Sequence, residues 1–245
     1  MRVSIITATY NSAKTVRQTL RSVQSQTYKN IEHIIVDGGS SDNTLEIVGQ
    51  FDHVSAVLSE EDGGIYDAMN KGIQLSTGKL IGILNSDDFY ADNDVISDQI
   101  KKMIAENADC VYSDLEYVDP TGRKVVRKWK AGPFDRSKFL RGWMPPHPTV
   151  IARRNIYEDY GEYRLDLGTS ADYEILLRWL YKLKLKCAYL ARVTVRMRVG
   201  GISNRSMYNR FSANRMDKRA WKVNGIRPKW YTFILKPLRK VGQYF

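Results

Sequence analysis

Four short apolar runs, each bounded by turn residues, alternate with three amphipathic stretches along the first part of the chain. Val3–Thr9, Ile31–Asp37 and Val54–Ser59, followed by residues 80–85, are rich in β-branched side chains. Between them, residues 13–25, 44–51 and 66–75 carry apolar side chains at helical spacing. Strands alternating with helices of this length form βαβ units, and these lead to a mostly parallel sheet flanked by helices. Asp42, Asn43 and Thr44 offer side-chain oxygens to the free N–H groups of a helix start. With 245 residues there is room for one α/β domain with a substantial core and a smaller appendage.

The rhythm changes after residue 90. Residues 95–106 read as a helix and Cys110–Val118 as a strand, and Asp119-Pro-Thr-Gly122 turns the chain into the alternating residues 124–129, a hairpin. Residues 142–148 form a loop holding three prolines. Residues 172–183 place Ile175, Leu176, Trp179, Leu180 and Leu183 on one helical face. Residues 193–199 alternate apolar and basic side chains, which predicts a strand at a sheet edge. From residue 206 a basic helix leads into an aromatic-basic tail. The expected organisation is an α/β domain over 1–204, halved near residue 90, with a C-terminal extension over 205–245.

Charge sharpens that boundary. The net charge is +11, and residues 205–245 hold eleven Lys or Arg against one acid, Asp217. The body is therefore nearly neutral, and the extension suits an acidic partner. Its basic residues interleave with aromatics such as Trp221, Trp230, Tyr231 and Phe233, a mixture fitted to an anionic membrane surface. Packing on the body or on a second copy of the chain is the next alternative, and nucleic acid a distant third. Cys110 and Cys187 lack His or Cys companions at metal spacing, which fits free thiols in a reducing compartment. The opening apolar run is too short for a secretory signal, and no segment approaches the roughly 20 apolar residues of a membrane helix. The expected location is cytoplasmic, peripheral on the inner face of the cytoplasmic membrane.

In an open parallel sheet, ligands bind outside the carboxyl ends of the strands. Three of the runs end in polar clusters: Thr9-Tyr10-Asn11, Asp37-Gly-Gly-Ser-Ser-Asp42 and Asn85-Ser-Asp-Asp88. Each alone also reads as a cap or a turn; three on one edge read as a site. Asp87 and Asp88 are adjacent carboxylates that repel each other unless a cation lies between them. Mg2+ or Mn2+ is commonly held by one or two carboxylates together with substrate phosphate oxygens.

Leu84-Asn-Ser-Asp-Asp88 resembles the strand-end Asp-x-Asp-Asp motif of the family 2 glycosyltransferases. Val3-Ser-Ile-Ile-Thr-Ala-Thr-Tyr-Asn11 and Ile34-Ile-Val-Asp-Gly-Gly-Ser-Ser-Asp42 are similar to that family's first two strands. Residues 61–73 are similar to its Gly-to-Ala-Arg-Asn-x-Gly segment, and Ser170-Ala-Asp-Tyr-Glu-Ile-Leu-Leu-Arg178 to its acidic acceptor-side helix. Residues 147–161 resemble subfamilies that build bacterial exopolysaccharide, colanic acid and O-antigen repeats. The resemblance implies a GT-A fold, a nucleotide-sugar donor, a divalent cation (Mn2+ or Mg2+) and inversion at the anomeric carbon. It also implies that Thr9, Tyr10 and Asn11 line the donor pocket and that Asp37 bonds the base, most familiarly uracil. Gly64 and Asn70 would contact the donor, Asp87 its ribose or sugar, and Asp88, with Asp87 beside it, the metal. Asp172 would be the general base acting on a glycan or lipid-diphosphate-linked acceptor.

Two positions depart from the family pattern. Asn85 replaces the first acid of the motif, and Met69 stands where the family often has Arg, with Lys71 a substitute contact. Ile175 occupies the Gln position of the motif that Arg178-Trp179 superficially matches in processive synthases, so one sugar is expected per acceptor. Thr169-x-x-Asp172 also fits a capping box, which gives Asp172 a purely structural alternative. His147 is an acceptor-side candidate, and residues 200–203 a loop able to close on the donor. A non-catalytic sugar-binding module and a nucleotidyltransferase are the competing classes; the latter's Gly-rich opening loop is missing. No Gly-x-Gly-x-x-Gly follows the first strand, which disfavours a nicotinamide dehydrogenase.

Overall fold

A computed structural model describes residues 1–200 and 207–238, and their side chains apart from those of 207–214, 237 and 238. The strands are β1 (Val3–Thr9), β2 (Ile31–Asp37), β3 (Val54–Ser59), β4 (Leu80–Ile83), β5 (Phe89–Tyr90), β6 (Cys110–Val118), β7 (Val125–Trp129), β8 (Ile151–Arg153) and β9 (Cys187–Arg198). The helices are α1 (Val16–Gln24), α2 (Thr44–Val48), α3 (Ile65–Leu75), α4 (Val95–Ala105), α5 (Arg154–Tyr160), α6 (Ala171–Leu176), α7 (Met207–Val223) and α8 (Thr232–Leu238). One sheet runs β3-β2-β1-β4-β8-β6-β9-β5, with β7 paired to β6.

β3, β2, β1 and β4 are mutually parallel, as the βαβ alternation requires. Helices cover both faces of this half, so β1 is buried at every position and reads as a continuous apolar run. α3 turns Ala68, Met69, Gly72 and Ile73 inward. Gly72 sets how closely it can lie: a β-carbon there would fall 2.3 Å from Cγ2 of Ile6 and 3.3 Å from Cγ2 of Val36. Antiparallel β8 then joins β4 to β6, and β9 returns parallel to β6.

Several elements differ from the sequence expectation. The strand read over residues 193–199 begins at Cys187 and lies inside the sheet, paired to β6 along its length and to two-residue β5 on its other side. Its alternating pattern reflects partial cover rather than an edge. Cys110 and Cys187 face each other in register across β6 and β9, and both thiols are free. The helix read from residue 172 begins at Ala171 and widens into a π turn over Leu177–Lys182. β4 stops at Ile83, so Asn85–Asp88 form a turn beyond the strand.

Part of the basic extension packs on the body. Ala220 and Trp221 of α7 are fully buried, and Trp221 Nε1 donates to the Tyr173 hydroxyl at 2.8 Å. Lys236 of α8 bonds Asp217 at 2.6 Å and lies over the Tyr173 ring. Residues 201–203 of the expected closing loop and 239–245 of the tail fall outside the described residues. No described helix is long and apolar enough to cross a membrane.

Gly72→Ala should lower the unfolding free energy by about 1–3 kcal/mol through overpacking. Urea denaturation measures this as a lower midpoint at unchanged slope; an unaltered midpoint would mean that α3 can lift from β1 without cost.

Candidate active site

The order β2-β1-β4 sets the three polar clusters side by side at the carboxyl edge. Hydrogen bonds join them. The Asn11 side-chain oxygen accepts from the backbone N–H of Ser41 at 2.9 Å, and Asn11, at φ 47°, presents its own N–H to Ser40 at 2.8 Å. Ser12 reaches the third cluster, its hydroxyl 2.8 Å from that of Ser86. Tyr10 projects from this joined surface with 65% of its area exposed, an open aromatic face at the mouth of the edge.

Asp37 lies beneath that surface, fully buried. Its Oδ1 accepts from the hydroxyls of Thr9 (2.9 Å) and Ser40 (2.5 Å). Its Oδ2 accepts from the N–H groups of Gly39 (3.2 Å) and Ser40 (2.9 Å) and from the Ser59 hydroxyl (2.9 Å). Burial alone would push this carboxyl up. The hydrogen bonds from Ser40, Ser59 and Thr9 outweigh it and hold the group below its usual range.

Asp88 is also fully buried, but it is left wanting. Its Oδ2 receives a long 3.4 Å contact from the Asn85 amide, the Arg198 backbone N–H partly offsets its charge, and its Oδ1 and the Asn85 side-chain oxygen have no hydrogen-bond partner. Burial, and then the charge of Asp87, push the Asp88 carboxyl well above its usual range. Asp87 is raised too, chiefly by burial, with Arg198 pulling it partly back. Two buried, unpartnered oxygens beside a second carboxylate fit a divalent cation, which takes oxygen ligands and would relieve the repulsion. No group of three or more His, Cys, Asp or Glu suited to a metal occurs among the described residues. The protein's donors would thus be Asp88, Asp87 and Asn85, with phosphate oxygens completing the shell.

Sequence reasoning missed Arg198. This residue, 7% exposed at the end of β9, donates to the Asp87 carbonyl and to Gln18 of α1, and its guanidinium lies 5.1 Å from the centre of the Phe89 ring. The only signal was the basic alternation of residues 193–199, which gives no hint of partners so far away in the chain.

Asp172 stands in the first turn of α6, half-buried, and burial together with the Asp172 charge raises the pKa of the nearby Tyr66 hydroxyl of α3. Around this pair gather His147 and Tyr163, whose Nε2 and hydroxyl are 2.7 Å apart. Burial lowers the pKa of His147, against the pull of Asp172, so the ring is neutral near pH 7. Asp172 Oδ1 accepts from the Tyr173 N–H at 2.7 Å, and the helix is capped at Ser170, one residue later than the Thr169 that the capping box requires.

Other expected contacts are directed elsewhere. Asn70 exchanges two hydrogen bonds with the Tyr163 backbone, donating at 2.9 Å and accepting at 3.0 Å, and so holds the segment before α6 to α3. Met69 is buried in the core. Lys71 bridges Glu60 at 2.8 Å and Asp67 at 3.4 Å, which ties its charge to acids rather than to a phosphate. Gly64, at φ 110°, begins α3 with nothing within 4 Å of where a β-carbon would stand.

A depressed carboxylate stabilises above about pH 4, where its unfolded form ionises, and that stabilisation is lost as pH falls through the folded value. Asp37→Asn should therefore cost about 2 kcal/mol at neutral pH. Denaturant unfolding at several pH values should show the gap from wild type closing in acid; a gap independent of pH would contradict an ionised, saturated Asp37.

Comparison with known proteins shows the family and the fold. The model of glycosyl transferase family 2 matches residues 4–161. An uncharacterized glycosyltransferase of Mycobacterium tuberculosis is 34% identical over 179 residues, covering 72% of this chain and 68% of that protein. A PGL/p-HBAD biosynthesis glycosyltransferase of Mycobacterium bovis is 32% identical over 206 residues, covering 82% and 78%. Among solved structures, Staphylococcus aureus TarS 1-349 in complex with UDP-GlcNAc superposes with a TM-score of 0.71 at 18% identity. That match covers 91% of this chain, which spans 65% of the TarS chain. A mannosyltransferase from Pyrobaculum calidifontis in complex with GDP-Man and Mn2+ superposes with a TM-score of 0.67 at 18% identity, covering 99% and 69%. The fold is GT-A, and the chain belongs to glycosyl transferase family 2.

Proposed function

We propose that this glycosyltransferase is inverting and metal-dependent. It moves one sugar from a nucleotide-diphosphate sugar, foremost a UDP-sugar, to a glycan or lipid-diphosphate-linked acceptor in bacterial surface glycan synthesis. The carrying observation is the pair of buried, unpartnered oxygens of Asn85 and Asp88 at the carboxyl edge, beside Asp87. The UDP-GlcNAc bound by TarS and the GDP-Man bound by the Pyrobaculum calidifontis mannosyltransferase support the same class of ligand here.

Residues 1–90 supply the donor half. Tyr10 offers its ring to the base, Thr9 and Asn11 fix the loop that carries it, and Gly64 lets the chain pass close to the donor. Asp88, Asp87 and Asn85 would hold the cation, which would supply positive charge against the leaving diphosphate. Residues 91–204 supply the acceptor half. Asp172 takes the proton of the acceptor hydroxyl while that oxygen bonds the anomeric carbon and the carbon–phosphate oxygen bond opens on the opposite face. Tyr66 lies beside this carboxylate, and neutral His147 with Tyr163 walls it.

The extension is proposed to dock on anionic lipid at the inner face of the cytoplasmic membrane. Trp230 is 83% exposed and Ile234 is exposed beside it, among Arg227, Lys229 and the exposed Arg136 and Arg141. α8 lies against the 136–141 turn, where the Thr232 hydroxyl donates to the Leu140 carbonyl at 2.6 Å. The 136–141 turn itself carries Arg136, Lys138 and Arg141, which add to the basic character of the extension.

Nucleotide sugars should raise the melting temperature, more so with Mn2+, by mass action on the native state. Absence of any stabilisation across a donor panel, with or without Mn2+, would refute the donor site. Asp172→Asn should lower transfer by about a hundred- to ten-thousand-fold while keeping that donor-dependent stabilisation. Retained turnover would remove Asp172 from the chemistry. Trp230→Ala combined with Lys229→Glu should release the protein from anionic liposomes in sedimentation. Wild type that binds neutral and anionic vesicles equally would sink the docking proposal.

A further inference from the structure

We infer that Asp62, not Asp37, is the carboxylate that reads the nucleobase; the inference rests on the donor site proposed above. A carboxylate offers about four lone-pair positions. Asp37 already takes five hydrogen bonds, from Thr9, Gly39, Ser59 and twice from Ser40, and lies fully beneath the surface. It has no capacity left for a base. The next residue, Gly38, has no side chain, and the space where one would begin is filled. A β-carbon on Gly38 would lie 2.6 Å from Oδ2 of Asp62 and 3.1 Å from its Cγ.

Asp62 comes to that place from the loop after β3 and is fixed there. The Glu60 N–H donates to the Asp37 carbonyl at 3.0 Å, which pins the loop to the end of β2. The Gly64 N–H donates to Asp62 Oδ1 at 2.7 Å, which sets the rotation of the carboxylate. Oδ2 is left without a hydrogen-bond or ion-pair partner among the described residues, against Gly38 at the edge where Tyr10 is exposed. A fixed acceptor beside an open aromatic face selects a base that stacks and points a ring N–H at it. Uracil N3–H and guanine N1–H meet that requirement. The matching ring nitrogens of cytosine and adenine carry no hydrogen and would face the carboxylate with a lone pair.

Calorimetric titration of UDP, GDP, CDP and ADP with Mn2+ tests the assignment. Wild type should bind UDP or GDP more tightly than CDP and ADP. Asp62→Ala should weaken that preferred binding about 10- to 100-fold, as expected for a hydrogen bond to a charged group, and leave Mn2+-pyrophosphate binding unchanged. Asp62→Asn is the sharper variant. Its oxygen keeps the Gly64 N–H, so its amide NH2 takes the free position and donates, shifting preference toward CDP. Unchanged affinity and base preference in both variants would overturn the role of Asp62 alone. Failure of wild type to bind any nucleoside diphosphate would overturn the donor site together with it.

Discussion

The Asp37 carboxylate is the tie on which the candidate active site depends. Its five donors come from the end of β1, the loop after β2 and the end of β3, so one buried charge fixes three strand ends at a common level. A buried carboxylate without these bonds would cost several kcal/mol. With them it defines the floor from which Tyr10, Asn11 and the Ser40–Asp42 turn rise. Asp88 is its counterpart in burial and its opposite in satisfaction. One carboxylate completes the scaffold, and the other stores the unmet demand for positive charge that suits a ligand site.

The parallel half of the fold was legible because its cause is local. β-branched runs ending in polar turns give strand positions to within a residue or two, and β1, β2 and β3 fall where the pattern puts them. The donor clusters were legible for the same reason: each follows its own strand. Legibility ended where partners are distant. Nothing in residues 187–198 indicates that β9 passes inside the sheet or that Arg198 meets Gln18. The duties of Asp37 and Asn70 were hidden differently. Both residue types suit ligand contact, and only the count of hydrogen bonds around them reveals that the scaffold claims them.

The surroundings of Asp172 gain their shape from aromatic packing on α6. Tyr173 follows Asp172, and it is gripped by Trp221 from α7 and by Lys236 from α8. The extension is therefore coupled to the proposed base through one neighbouring residue. A displacement of α7 or α8 is passed to the first turn of α6 through Tyr173.

Arg198 joins parts of the chain made at very different times. Its two hydrogen bonds span 111 and 180 residues, to the Asp87 carbonyl and to Gln18. During synthesis, β1 to β4 can pair as soon as they leave the ribosome, whereas this guanidinium arrives only after β9 has emerged. Contacts of such long sequence separation form late. The nascent chain thus carries Asp87 and Asp88 through an interval without this guanidinium, and the Asn85–Asp88 turn gains its tie to β9 only after residue 198 has left the ribosome.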